Sequence, residues 1–193
     1  GDTIQVESKE NNQVSLFSQK SVYKMMGLPA DDFPKITEEE EDIPMAPIAP
    51  GALREMIRKT FFAMSVDETR KNLNGVFFEA EAEGEICRVG MVATDGHRLS
   101  FAIEEVPKFL TLEKGVVIPR KGIMEIRKLV DTDPENLQFG IRKGMCILKT
   151  SDTVLKVSLV EAEYPDYRRI LPKEKGSVVL LKRDEFLQAL RRM

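Results

Sequence analysis

Apolar and polar positions alternate over short stretches near the start of the chain, at residues 3–7, 14–18 and 22–26, with polar breaks such as Lys9 to Gln13 between them. A period of two over a few residues marks a half-buried strand, so three strands are expected there. The same order returns at residues 137–141, 145–150 and 154–160. Each trio is followed by an aromatic–proline pair, Phe33-Pro34 and then Tyr164-Pro165, about 130 residues apart. An apolar set then recurs at nearly the same offset, Ile48, Leu53, Met56 and Ile57 matching Leu181, Phe186, Ala189 and Leu190. Self-similarity at a domain-sized period points to tandem domains rather than a solenoid. The expected boundaries are 1–43 for the end of one repeat, 45–172 for a complete one and 176–193 for the start of the next. The acidic run at 38–42 and Pro44, Pro47 and Pro50 read as the linker between the first two. Met193 ends a helical run with no cap, which reads as a piece of a longer protein.

Within the complete repeat, Leu53, Met56, Ile57, Phe61 and Met64 make an apolar stripe at helical spacing, predicting a helix over 51–64 with Arg54 and Arg58 on a different face. Strands are expected at 75–80, 85–94 and 98–103. The run VATDGHRLSFA reads as a hairpin with Asp95-Gly96 as its tight turn. A strand at 115–118 leads into a second helix over 119–130, with Pro119 at its first position. Ile123, Ile126 and Val130 face one way on that helix. Arg120, Lys121, Arg127 and Lys128 share the other face with Met124. Helices and hairpin strands thus alternate within one repeat.

Charge changes the picture more than composition does. The chain is net −3, which alone would argue against a nucleic-acid partner. Residues 51–60, 119–130 and 182–193, however, carry net charges of +2, +3 and +2, which leaves the rest of the chain at −10. Arg120 and Lys121 also sit in a first helical turn, where the helix dipole disfavours cations. Positive helices in an acidic body are the footprint of a surface that meets phosphate while the remainder avoids it. The competing explanation is an ordinary solvated basic face on each helix, and recurrence at equivalent positions of the repeat weighs against it.

Candidate chemistry is sparse. Cys87 and Cys146 lie in strand-like runs without metal-ligand spacing and read as buried thiols. His97 is the only histidine, and a metal or acid–base constellation needs more ligands or partners than it can find. The PRKG run at a strand-to-helix junction lacks the glycine-rich loop and Lys-Ser/Thr of a phosphate-binding loop. No enzyme activity, metal or cofactor is expected. With 42% hydrophobic residues and no apolar run of membrane-spanning length, a soluble globular protein is expected, and its two buried thiols suit a reducing compartment such as the cytoplasm.

At TDGHRL (Thr94 to Leu99) the chain resembles the bacterial DNA sliding clamp, the beta subunit of DNA polymerase III. RKNLNGVFFE from Arg70, VVIPRKGIMEI from Val116 and YPDYRRILP from Tyr164 resemble the same family in the same order. The resemblance implies an α+β DNA clamp fold of tandem repeated domains, each with two helices packed on antiparallel sheets. In it, 1–43 closes the first domain, 45–172 is the middle domain and 176–193 opens the third. It also implies a homodimeric ring that encircles duplex DNA without regard to sequence, with Arg54, Arg58, Arg120, Lys121, Arg127 and Lys128 facing the DNA. Asp67 and Glu68 depart from that pattern and argue against DNA contact by their own loop. The resemblance further implies a groove for short peptides from the replicative polymerase, the clamp loader and repair proteins, lined here by Arg70, Leu73, Thr94, Gly96, His97, Arg98, Leu99, Pro165, Arg169 and Ile170. This piece alone is expected to be monomeric and to form no ring. A peptide-binding scaffold without DNA contact is the alternative.

Overall fold

A computed structural model describes residues 3–33, 43–107, 112–142, 144–172 and 176–193. Pro34 of the first aromatic–proline pair and the acidic run at 38–42 lie outside them. The chain divides into two compact units, Gly1–Ile43 and Pro44–Met193. In the smaller unit β1 (Gln5–Ser8), β2 (Gln13–Ser18) and β3 (Ser21–Met26) form an antiparallel meander, followed by a 3-10 turn at Ala30–Asp32.

The larger unit holds two four-stranded antiparallel sheets. The first has the order β7 (Leu99–Pro107), β6 (Ile86–Thr94), β5 (Gly75–Glu83), β8 (Val116–Pro119). The second has the order β11 (Val154–Ser158), β10 (Met145–Lys149), β9 (Gln138–Arg142), β4 (Met45–Pro47). Helix α1 (Pro50–Thr60) lies over β6 and β7, and α2 (Arg120–Asp131) over β5, β8 and β11. A third helix, α3 (Arg183–Arg191), is exposed along its whole length. The α+β class holds, and the strand trio of 137–160 is a meander like that of β1 to β3.

The apolar stripes place the helices. Leu53, Met56 and Ile57 of α1 and Ile123, Ile126 and Val130 of α2 are fully buried in one core with Val76, Phe78, Val89 and Met91 of the first sheet and Phe139 and Leu148 of the second. Phe78 and Phe139 meet across the two sheets, ring centroids 4.9 Å apart. Burying side chains of this size contributes about 1.5–3 kcal/mol each. Thr60 is tolerated at the buried end of α1 because its hydroxyl donates to the Met56 carbonyl, 2.8 Å away. Cys87 and Cys146 are buried in the same core, and burial pushes the Cys146 thiol up to about 12.

Three local expectations are corrected. The proline-rich linker contains a strand, β4, paired with β9 through Met45↔Gly140 and Pro47↔Gln138. It lies at the sheet edge, where a proline without N–H is tolerated, and it buries Ala46. The hairpin of β6 and β7 closes on Thr94↔Leu99, so four residues connect the strands, not an Asp95-Gly96 two-residue turn. Pro119 is the last residue of β8 and caps α2 from outside, one place before the first helical position.

The approach of α2 to β11 is set by Gly122, where a methyl group would lie 2.3 Å from Val157 Cγ1. Overpacking of this kind costs about 1–3 kcal/mol. Gly122→Ala should therefore lower the urea midpoint at unchanged slope, and Val157→Ala in the same chain should recover part of the loss. An unchanged midpoint in the single variant would refute the close approach.

Candidate functional site

Two surfaces gather the residues singled out above. The first lies on the outer face of the β5–β6–β7 sheet. There the second half of β6 is buried on both sides: Val89, Met91 and Ala93 point into the main core, while Val92 joins a separate cluster with Val117, Tyr164 and Tyr167. Leu73, Phe77, Leu99, Val160 and Leu171 pack against that cluster. Tyr164 stacks on Phe77 at 4.8 Å and 14°, an arrangement that adds about 0.5–1.5 kcal/mol beyond burial. Its hydroxyl donates to the Val92 carbonyl at 3.4 Å, and burial raises its pKa to about 12.

The Thr94–Leu99 connection is held by its own side chains. One Asp95 carboxylate oxygen accepts the backbone N–H groups of His97 and Arg98, each at 3.0 Å, and the other accepts Arg98 Nε at 3.0 Å. Thr94 Oγ1 donates to the Arg98 carbonyl at 2.6 Å and accepts the Gly96 N–H at 3.1 Å. Gly96 has φ +93°, a conformation that favours glycine. Arg70 reaches this loop through its bond to the Asp95 carbonyl at 3.4 Å, and Arg98 lies over Phe62 at 5.6 Å. Asn72 donates to the Glu163 carbonyl at 3.4 Å, joining the 65–74 loop to the segment after β11. Arg70, Leu73, Thr94, Gly96, His97, Arg98 and Leu99 thus form one contiguous patch. Pro165, Arg169 and Ile170 stand exposed on the adjoining segment around a 3-10 turn, Tyr167–Arg169. Arg169 pairs locally, with Asp166 at 2.9 Å, its one ion pair among the described residues, and Ile170 is 66% exposed.

Sequence reasoning placed Asp95 in the turn but missed the grip of its carboxylate on the loop, and it missed Glu79. The Glu79 carboxylate accepts the Tyr167 hydroxyl at 2.5 Å and Arg168 Nη2 at 2.9 Å. The available signal was an acidic residue on the same strand face as Phe77, where a strand packed against aromatics would otherwise be apolar.

The second surface is the outward side of the helix pair. Arg54, near the start of α1, donates Nε to the Val130 carbonyl at 3.2 Å and pairs with Asp133 at 2.8 Å. Phe61, just past the other end of α1, lies under Arg120 at 4.8 Å and Arg127 at 5.7 Å. The helices are therefore antiparallel neighbours, and Arg54 is occupied in joining them. Arg58 is bound to Glu55, whose carboxyl the guanidinium holds down at about 2. Lys128 pairs with Glu125 at 2.8 Å and Arg127 with Asp131 at 3.7 Å. Lys121 is exposed and has no ion pair among the described residues. No cluster of potential metal ligands occurs among the described residues.

Residues 47–166 match the family model described as DNA polymerase III beta subunit, central domain. The chain is 32% identical over its whole length to the beta sliding clamp of Proteus mirabilis, covering 51% of that protein. Among solved structures it is similar to Caulobacter crescentus pol III beta, with a TM-score of 0.84, 28% identity and coverage of 100% of this chain and 51% of that one. It is equally similar, at TM-score 0.84 and 27% identity, to a sliding clamp of Bartonella birtlesii bound to griselimycin, again covering 100% of this chain and 51% of that one. The chain thus spans about half the length of the relatives it matches.

The backbone N–H groups of His97 and Arg98 hold the Asp95 carboxyl below its ordinary value of 3.8, with the Arg98 side chain adding to the shift. A depressed folded-state pKa means that the carboxylate's support of the loop is complete at neutral pH. It is lost as pH falls below the ordinary value and through the folded one. Asp95→Ala should therefore speed amide exchange at His97 and Arg98 at pH 7 while leaving the middle of β6 protected. Asp95→Asn, which keeps an acceptor, should do so less. Equal exchange in all three chains would remove Asp95 from this role.

Proposed function

The chain belongs to the DNA polymerase III beta subunit family, and from that premise we propose that it supplies the middle of a sliding clamp, a ring that encircles duplex DNA and tethers the replicative polymerase. On this reading 45–172 is the middle domain, 1–43 ends the domain before it and 176–193 opens the one after. The whole protein closes as a head-to-tail homodimer in the bacterial cytoplasm. The family is non-catalytic, and the chain's part is mechanical.

The observation that carries the DNA-facing half is the layer of cations on the outward side of the α1–α2 pair in a chain of net charge −3. Arg58, Arg120, Lys121, Arg127 and Lys128 form that layer, with Arg54 behind it as a link between helices. The ion pairs within the layer are exposed, and such pairs are worth about 0–1 kcal/mol. Phosphate oxygens can therefore replace the carboxylates at little cost. Contacts of this kind are sequence-independent and salt-sensitive, which lets a ring slide while its closed topology retains it.

The second half of the reading is a groove for short apolar peptides of the polymerase, the clamp loader and repair proteins. Leu73 and Leu99 supply the apolar floor. Thr94 and Gly96 shape it, Arg70, His97 and Arg98 form its rim, and Pro165, Arg169 and Ile170 face it from the neighbouring segment. An apolar cleft with a few fixed polar groups suits such ligands. The alternative, a peptide-binding scaffold that never touches DNA, draws on the same groove and on the partners that Arg58, Arg127 and Lys128 already have.

Two measurements test the halves separately. Reversing Arg120, Lys121, Arg127 and Lys128 to glutamate in a full-length clamp should shorten processive synthesis at least tenfold while the fold persists. Undiminished processivity would leave the scaffold reading. With griselimycin as the probe, Ile170→Asp should weaken binding by about ten- to a hundredfold, since the lost apolar contact is worth about 1.5–3 kcal/mol. This side chain is too exposed for the substitution to disturb folding, so unchanged affinity would count against the groove.

A further inference from the structure

Glu79 lies on the outer face of β5, and its side chain is only 14% exposed although it carries a charge. It lies across the neighbouring strand at Gly90, its cross-strand partner. A methyl group on Gly90 would come within 2.9 Å of Glu79 Cγ and 3.0 Å of Oε1, so the missing side chain forms the slot in which the glutamate lies. At the end of the slot one carboxylate oxygen accepts the Tyr167 hydroxyl at 2.5 Å and the other accepts Arg168 Nη2 at 2.9 Å. Arg168 also reaches Glu81 at 3.1 Å and covers the Tyr167 ring at 5.1 Å.

The two bonds fasten one short turn. Tyr167–Arg169 is the 3-10 turn between Pro165 and Ile170, and Tyr164 already pins its upstream side against Phe77 and Val92. Pro165 and Ile170 are exposed, and among the described residues Arg169 has only its local pair with Asp166. The orientation of these three therefore depends on Tyr164 at one end and on Glu79 at the other. Charge-assisted bonds from a tyrosine and an arginine to one half-enclosed carboxylate are the stronger kind.

We propose that Glu79, seated in the slot left by Gly90, is a positioning residue for peptide binding: it holds the Tyr167–Arg169 turn so that Pro165, Arg169 and Ile170 face Leu73, Thr94 and Leu99. It touches no ligand itself. This rests on the groove reading above. If the turn is released and occupies the binding-competent pose about one-tenth of the time, the apparent affinity falls about tenfold.

The test uses a full-length clamp and griselimycin, titrated by calorimetry at matched folded fraction. Glu79→Ala should raise Kd about tenfold. Glu79→Gln keeps an acceptor for Tyr167 and should raise it less. Gly90→Ala, which leaves the glutamate in place but fills its slot, should reproduce part of the effect. Adding Tyr167→Phe to Glu79→Ala should weaken binding no further, because both substitutions break one network. A purely structural role would lower the melting temperature and leave Kd of the folded protein unchanged, which would overturn the proposal. So would Glu79→Gln and Gly90→Ala both binding like the parent. Ile170→Asp separates the two levels. If it weakens binding and the Glu79 variants do not, the positioning role fails alone. If neither does, the groove reading has failed beneath it.

Discussion

The larger unit depends on one strand that is buried on both faces along half its length. At its start β6 alternates, with Cys87 and Val89 inward and Ile86 and Arg88 exposed; from Val89 to Thr94 every residue is buried. Parallel sheets are commonly covered on both sides, whereas antiparallel ones more often leave one face to water. Here the second cover is a single returning segment, with Tyr164 and Tyr167 lying on Val92 and Phe77. That return places the residues after β11 beside the loops that precede β5 and follow β6. The candidate groove follows from covering the sheet twice.

The helix pair shows how burial and charge divide one element between two tasks. The inward side of α2 is aliphatic and closely fitted to β8 and β11, with Gly122 allowing the approach. The outward side is basic, and its arginines are ordered by an aromatic ring and by nearby carboxylates rather than left to solvent. Guanidinium stacking on a ring is worth about 0.5–1 kcal/mol at exposed sites. That is enough to bias where Arg120 and Arg127 point and too little to commit them to one partner. Arg54 differs in kind, since it bonds the carbonyl end of the neighbouring helix and faces two aspartates.

The parts of the structure that were legible in the sequence are those with a period. The stripe of Leu53, Met56 and Ile57 and that of Ile123, Ile126 and Val130 located both helices and the side each would bury, and the alternations located the meanders. β4 was not legible, because three residues including a proline carry no period and its pairing with β9 is a contact between distant segments. The Asp95 turn was read as tight because Asp-Gly favours a two-residue turn. The Asp95 carboxylate instead binds two N–H groups further on and so organises a longer connection. Glu79 was invisible for another reason. Its partners lie at the far end of the unit, and the glycine that makes room for it announces nothing by itself. Of the site residues, the loop set is contiguous because it is local to two neighbouring connections, while the nearness of Pro165, Arg169 and Ile170 to it is a property of the return path.

The burial of Cys87 and Cys146 has a practical side for handling the protein. A thiol must ionise to attack a maleimide or a disulfide. Cys146 is enclosed and held near 12, and Cys87 is 1% exposed. Both thiols of this chain should therefore react slowly with such reagents while it stays folded. A single cysteine introduced on the outward side of α2 or beside Ile170 could carry a fluorophore at one known place. Slow modification of the native pair would then time the opening of the core.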